Sequence, residues 1–187
     1  PYVWIKRILL PNYTYDEFIG KLDFEMEKEF GKDYLCRLGR FATEYDMQIQ
    51  FIVFHDDLDW SNDRNELLIV SLFFKEGHYS FSPQKYSLSE FKELIKSHSG
   101  GPVSIGSKGL IYGTSRLECS LSKTDSLYPG DADLLLLNED NKAVCILEFK
   151  KHTLSSPISE QCFTNYYPRP DGRKYKRLAL LRDYLAS

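Results

Sequence analysis

The sequence lacks several features that would assign it to a specialised class of protein. Its four cysteines are scattered along 187 residues without a Cys-x-x-Cys pair, and its four histidines have no zinc-binding spacing with them. A reduced, intracellular protein without a disulfide framework is therefore the simplest expectation. No apolar run approaches about 18 residues and no signal-peptide pattern opens the chain, so we expect neither a membrane span nor a membrane partner.

The sequence also lacks an excess of charge of one sign. Its net charge is −3, and its hydrophobic fraction of 42% and charged fraction of 27% are those of an ordinary globular protein. From residue 150 onward, eight Lys and Arg against three Asp and Glu give +5, which leaves −8 for residues 1–149. This basic end could bind an anionic polymer, or it could be a solvated helix face. Because the chain begins with Pro, we expect it to have been processed or cut from a longer protein with further domains.

The hydrophobic pattern predicts a mixture of helices and strands. Helices are predicted where apolar residues recur every three to four positions, and strands where short β-rich runs lie between turns. The predicted strands are residues 2–10, 47–55 and 66–74, an extended segment at 109–121, and two neighbouring strands at 131–137 and 143–149. The predicted helices are residues 14–30, 87–98, 156–167 and 173–187, the second of them ended by Gly100 and Gly101.

The run YPGDADLLLLNEDNKAVCILEFKKHT, from Tyr128 to Thr153, places charges at the ends of two apolar strands. Asp133 precedes four leucines, whereas Glu148 and Lys150 lie two apart and therefore point to the same side of a strand. If the strands are neighbours, all three side chains meet at one end of the sheet. Two carboxylates so close repel each other unless a cation lies between them, and oxygen-only ligands suit Mg²⁺ or Mn²⁺.

This motif resembles that of the PD-(D/E)XK nuclease superfamily, whose members share a restriction-endonuclease-like αβββαβ core. The resemblance covers residues 87–187 and is specific only at residues 129–150. It implies an α/β protein, with a mixed sheet flanked by helices and a nuclease-like core at residues 101–187. Residues 1–100 would form an α+β specificity or docking region, and the helix at 87–98 would pack with the core. The alternative is a β-hairpin with solvated charges at its ends.

The resemblance implies a role for each residue of the motif. Asp133 and Glu148, with the main-chain carbonyl of Phe149, would hold Mg²⁺ or Mn²⁺. Lys150 would position the attacking water, and Glu118 would act as a third acidic metal ligand from upstream. For Glu118 the alternative is an edge-strand glutamate paired with an arginine or a lysine.

Other residues are expected to support the site or to contact nucleic acid. Asp131, Gln161, Lys151, Arg173 and Lys174 form this group. For Asp131 the favoured interpretation is a turn residue. Gln161 departs from the family's Q-x-x-x-Y pattern, because the nearby tyrosines are at 166 and 167. The expected function is a metal-dependent nuclease; the resemblance favours DNA as its substrate, with RNA as an alternative. The alternative is a nuclease-fold module that binds nucleic acid or a protein without cleaving it.

Overall fold

In a computed structural model the chain folds into two units, Pro1–Pro129 and Gly130–Ser187. The structure describes residues 1–99, 101–102, 115–126, 132–149, 157–165, 167 and 172–187. The first unit contains β1 (Tyr2–Leu9), α1 (Tyr15–Gly20), α2 (Leu22–Phe30), α3 (Lys32–Glu44), β2 (Gln48–His55), β3 (Glu66–Lys75), β4 (His78–Ser87), α4 (Leu88–Ser99) and α5 (Arg116–Leu121). The second contains β5 (Leu134–Leu137), β6 (Ala143–Leu147), two short 3-10 turns (Ile158–Glu160 and Phe163–Asn165) and α6 (Gly172–Leu185).

The first unit is built on a four-stranded sheet in the order β1-β2-β3-β4. β1 lies parallel to β2, and the other neighbouring strands are antiparallel. A parallel pair needs a crossover connection, which α1, α2 and α3 supply between β1 and β2. The prediction of an α/β protein with a mixed sheet flanked by helices is confirmed at this level.

Helices cover both faces of this sheet, because alternate residues of a strand point to opposite sides. On one face, Phe51 of β2 and Val70 of β3 cluster with Phe18, Met26 and Leu35 from α1, α2 and α3. All five side chains are fully buried. The first unit is therefore a layered structure in which the apolar runs of β2 and β3 form the centre.

The opposite face is covered by α4 and α5. There Phe54 of β2 clusters with Phe91 of α4 and Leu117 of α5. The predicted end of α4 is confirmed, since Gly101 has a φ of +108° and its N–H donates to the Lys96 carbonyl at 2.8 Å. The apolar side of α4 lies on this sheet, and its expected contact with a C-terminal nuclease core stays a prediction.

The prediction of an extended chain through residues 109–121 is wrong for its last six residues, which form α5. Ser115 caps this helix by accepting the N–H of Glu118, and Asp56 Oδ1 accepts the N–H of Arg116 at 2.6 Å. These acceptors satisfy backbone donors that a helix leaves open at its start. Residues 109–114 lie outside the described part of the chain, so the strand predicted there stays a prediction.

The prediction of one continuous helix over residues 14–30 is wrong. The chain forms α1 and α2, separated at Lys21, whose φ of −127° lies outside the helical region. The capping box predicted for Thr14 and Glu17 is confirmed.

α3 and β4 had no counterpart in the sequence-based assignment. β4 pairs with β3 through a two-residue turn, Glu76–Gly77, in which both residues have positive φ.

The second unit contains an antiparallel hairpin, β5–β6, followed by two 3-10 turns and α6. The helix predicted at 156–167 is wrong where the chain is described, because Gln161 adopts an extended backbone (φ −86°, ψ 134°) between the two turns. The final helix is confirmed as α6. The described strands of this unit number two, so the finer αβββαβ arrangement remains a proposal.

The two units divide later than the functional boundary predicted between residues 100 and 101. That functional boundary, between a specificity region and a nuclease core, stays a prediction. Within the described ranges, no helix has both the length and the apolar character needed to cross a bilayer.

Candidate functional site

The β5–β6 hairpin aligns Asp133 with Glu148. In its register Leu134 pairs with Leu147, and Asp133 and Glu148 are the residues next to this pair at the open end of the hairpin. Side chains of directly opposed residues project from the same face of an antiparallel pair, with Cβ atoms about 4.5–5.5 Å apart. The predicted meeting of these two carboxylates at one end of neighbouring strands therefore follows from the observed register.

A lysine from α6 contacts both carboxylates. Lys174 Nζ lies 2.7 Å from Glu148 Oε1 and 4.0 Å from Asp133 Oδ1. One ammonium can approach both groups only if their oxygens lie close to each other. Two strands and a helix thus bring three charged side chains to one place.

The backbone fixes Asp133 from its other side. The N–H of Phe149 donates to Asp133 Oδ2 at 2.6 Å. This charge-assisted hydrogen bond ties the residue after Glu148 to the start of β5. It leaves Oδ1 of the same carboxylate as the atom nearest Lys174.

The site is partly shielded from water. The exposed fractions of the side chains are 11% for Glu148, 21% for Lys174 and 25% for Asp133. Lys174 is the third residue of α6, where the helix dipole disfavours a positive charge. The two carboxylates therefore stabilise the positive charge of Lys174, which the dipole of α6 disfavours.

The donor chemistry of this site fits a small divalent cation. Asp133 and Glu148 supply carboxylate oxygens, and Mg²⁺ is commonly held by one or two carboxylates together with waters and substrate phosphates. The described residues contain no group of three or more His, Cys, Asp or Glu side chains arranged to hold a metal ion. Of the described residues, two acidic side chains are therefore available to an ion held here, with further oxygens from the main chain, water or substrate.

Glu118, predicted as a third metal ligand, lies on α5 of the first unit. Its Oε1 is 2.6 Å from Lys6 Nζ on β1, and its side chain is 14% exposed. A carboxylate this shielded needs a positive partner, and Lys6 provides one. This agrees with the alternative of pairing to a lysine, while a metal-binding role for Glu118 stays a prediction.

The other predicted residues divide into described and undescribed ones. Gln161 lies between the two 3-10 turns, where its Oε1 accepts a hydrogen bond from Asn165 Nδ2 at 3.3 Å. The structure thus gives Gln161 a local partner, and its expected support of the site stays a prediction. Four predictions lie outside the described residues and side chains: those on Asp131, Lys150, Lys151 and the side chain of Arg173.

Sequence reasoning placed Lys174 among residues expected to support the site or touch nucleic acid, and it missed the contact with both carboxylates. A weak signal was present. A lysine in the first turn of a helix opposes the helix dipole, so it calls for a negative partner elsewhere. The sequence alone does not say which carboxylates supply that partner.

No family model, curated protein or solved structure matches the chain. The resemblance to the PD-(D/E)XK superfamily therefore depends on the motif at residues 129–150.

Proposed function

We propose that this chain is a metal-dependent nuclease that hydrolyses phosphodiester bonds, acting on DNA rather than RNA. The observation that carries the proposal is the convergence of Asp133 and Glu148 on one cation, the Lys174 ammonium. Two carboxylates held opposite each other at a partly shielded strand end form an arrangement that attracts positive charge. The Asp…Glu-x-Lys motif of the PD-(D/E)XK superfamily uses the same residue types, and a restriction-endonuclease-like core belongs to the proposal.

Asp133 and Glu148, with the main-chain carbonyl of Phe149, would hold Mg²⁺ or Mn²⁺. When bound, such an ion lowers the pKa of a bound water and neutralises charge on a phosphoryl oxygen. The hydrogen bond from the Phe149 N–H orients Asp133 beforehand, so the carboxylate does not need to be ordered when substrate arrives.

The chain's own basic residues would bind substrate and assist the attack. Lys150, adjacent to Phe149 in sequence, would orient the water that attacks the phosphorus in line with the leaving oxygen. On α6, Arg182 is exposed and could make contacts with the phosphate backbone. These contacts would position nucleic acid without selecting its sequence.

A second candidate is a nuclease-fold module that binds nucleic acid or a protein and does not cleave. Lys174 favours this candidate, because its ammonium already offsets part of the negative charge of the two carboxylates without a metal. The candidates differ in metal dependence. In a melting experiment, Mn²⁺ should raise the transition temperature of a nuclease and leave that of the binding module unchanged.

Cleavage assays test the proposal directly. Plasmid, linear duplex, single-stranded DNA and RNA would each be incubated with Mg²⁺ or Mn²⁺ and with wild type, Asp133→Ala or Lys150→Ala. Asp140→Ala, in the exposed β5–β6 turn, is the matched control. We expect wild type and the control to nick plasmid, and the other two variants to lose most of this activity. Equal cleavage by all four proteins, or none by wild type, would contradict the proposal.

A further inference from the structure

We infer that Lys174 is the internal counter-ion of the metal-free site and that it competes with a divalent cation for the space between Asp133 and Glu148. This inference rests on the proposed function, because it concerns the same two carboxylates. Lys174 lies outside the Asp…Glu-x-Lys motif and would act on the metal site through the two carboxylates. Lys174 would set how tightly the site binds metal and would be freed when metal arrives.

The position of the ammonium supports this assignment. Its Nζ is 2.7 Å from Glu148 and 4.0 Å from Asp133, so it lies within ion-pair distance of both expected metal ligands. A divalent cation that used oxygens of both carboxylates would have to enter the same region. Two positive charges this close repel strongly in a partly shielded site, where water screens them less than in bulk. Simultaneous occupancy is therefore disfavoured.

The location of Lys174 on α6 favours its release. It lies in the first turn, where the positive end of the helix dipole repels an ammonium. The carboxylates hold the side chain against this repulsion. Once a cation neutralises them, the flexible four-carbon stem can carry the ammonium toward solvent or toward a phosphate of the substrate.

Arginine and glutamine substitutions separate the charge of Lys174 from its shape. Lys174→Gln removes the competing charge and keeps a long polar side chain. Lys174→Arg keeps the charge and offers two donors that match a carboxylate pair better than an ammonium does. Lys176→Gln is the matched control, because it removes the same charge two residues further along α6 from an exposed position.

The measurement is direct binding of Mn²⁺, followed by the loss of the electron paramagnetic resonance signal of the free ion. We expect Lys174→Gln to bind Mn²⁺ about tenfold or more tightly than wild type, within the usual range of coupling between two ligands. Lys174→Arg should bind more weakly than wild type, and Lys176→Gln should match it. Without Mn²⁺, Lys174→Gln should melt at a lower temperature than wild type, and saturating Mn²⁺ should narrow that difference.

The results distinguish the failure of this inference from the failure of the proposed function. Mn²⁺ binding of equal strength in wild type, Lys174→Gln and Lys174→Arg would overturn the inference and leave a metal site standing. Weaker binding in Lys174→Gln would also overturn it, since Lys174 would then assist the metal. Absence of binding in wild type and all variants would overturn both. If Lys174→Gln fails to fold, the arginine variant still decides, because the inference requires weaker binding there.

Discussion

The two units of this chain differ in what their described side chains bury. The first unit buries large apolar side chains on both faces of a four-stranded sheet, with Phe51 and Phe54 at the centre of the two cores. In the described residues of the second unit, no hydrophobic side chain is fully buried. What the second unit shields from water is a charged cluster of Asp133, Glu148 and Lys174. Among the described residues, the large apolar cores and the candidate site therefore lie in different parts of the sequence.

The largest expected effect is on the core of the first unit. Phe51→Ala removes a fully buried ring and should lower the free energy of unfolding by about 3–5 kcal/mol. Leu180→Ala on α6 is the contrast, because that side chain is 69% exposed and should change stability by less than about 0.5 kcal/mol. Urea unfolding followed by circular dichroism measures both variants, because helices and strands of both units contribute to that signal. Similar losses in the two variants would remove the contrast between the units.

A smaller effect is expected at the charged cluster. Glu148→Gln leaves Lys174 without the carboxylate at 2.7 Å, and should lower the free energy of unfolding by about 1.5–3 kcal/mol, a typical value for a hydrogen bond to a charged group. Glu139→Gln, in the exposed β5–β6 turn, is the control and should have little effect. Thermal unfolding followed by circular dichroism measures both. A stability equal to that of wild type would mean that the cluster does not hold the hairpin and α6 together.

The first unit should also show a pH-dependent interaction between β4 and α2. The Tyr79 hydroxyl donates to Glu27 Oε1 at 2.6 Å, which lowers the pKa of the Glu27 carboxyl. Burial, together with this acceptor, raises the pKa of Tyr79. The stabilisation from Glu27 is present above the unfolded pKa of about 4.3 and is lost as pH falls through the folded value. The stabilisation from Tyr79 is present below its unfolded pKa of about 10, and it is lost as pH rises through the pKa of the folded state.

Tyr79→Phe tests this pair. The difference in stability between wild type and the variant should be largest between about pH 5 and pH 10, and should shrink on either side of that window. Urea unfolding at a series of pH values measures the difference. A difference that stays constant from pH 3 to pH 11 would contradict the hydrogen bond as its origin.

The smallest expected effect concerns the thiols. Cys162 of the second unit is exposed, and its hydrogen bond with the Thr164 hydroxyl at 3.0 Å lowers the pKa of the thiol. Cys36 on α3 is only partly accessible. Because the thiolate is the reactive form, iodoacetamide at pH 7 should label Cys162 before Cys36, and Thr164→Val should slow that labelling. Mass spectrometry identifies the order, and earlier labelling of Cys36 would contradict the comparison.

Local patterns were sufficient for the parts of the structure with strong periodicity. The apolar runs of β2 and β3 and the two strands around the Asp…Glu motif were predicted from sequence, because their signals lie within a few residues. α5 was not, since a six-residue helix carries little local signal and depends on Asp56, a residue 60 positions away that accepts the Arg116 N–H. β4 was not predicted either, because most of its residues are polar and it contains Pro83. Within a sheet, proline is found at edge strands such as β4.

The candidate site was predictable only in part for the same reason. The alignment of Asp133 with Glu148 follows from a hairpin whose two strands are close in sequence. The contact of Lys174 with Glu148 joins residues 26 positions apart across a helix and a strand, and no short-range pattern encodes it. Glu118 was assigned to an extended segment, whereas its helix presents it to Lys6, 112 residues away.

The most direct test of the central claim is anomalous diffraction from crystals of the whole chain soaked in Mn²⁺. We predict an anomalous difference peak between the carboxylates of Asp133 and Glu148, with the Lys174 ammonium moved away from both. Crystals of Asp133→Ala treated in the same way should show no peak there. A Mn²⁺-soaked wild-type structure without that peak, in which Lys174 still contacts Glu148, would contradict a divalent-cation site at these two carboxylates.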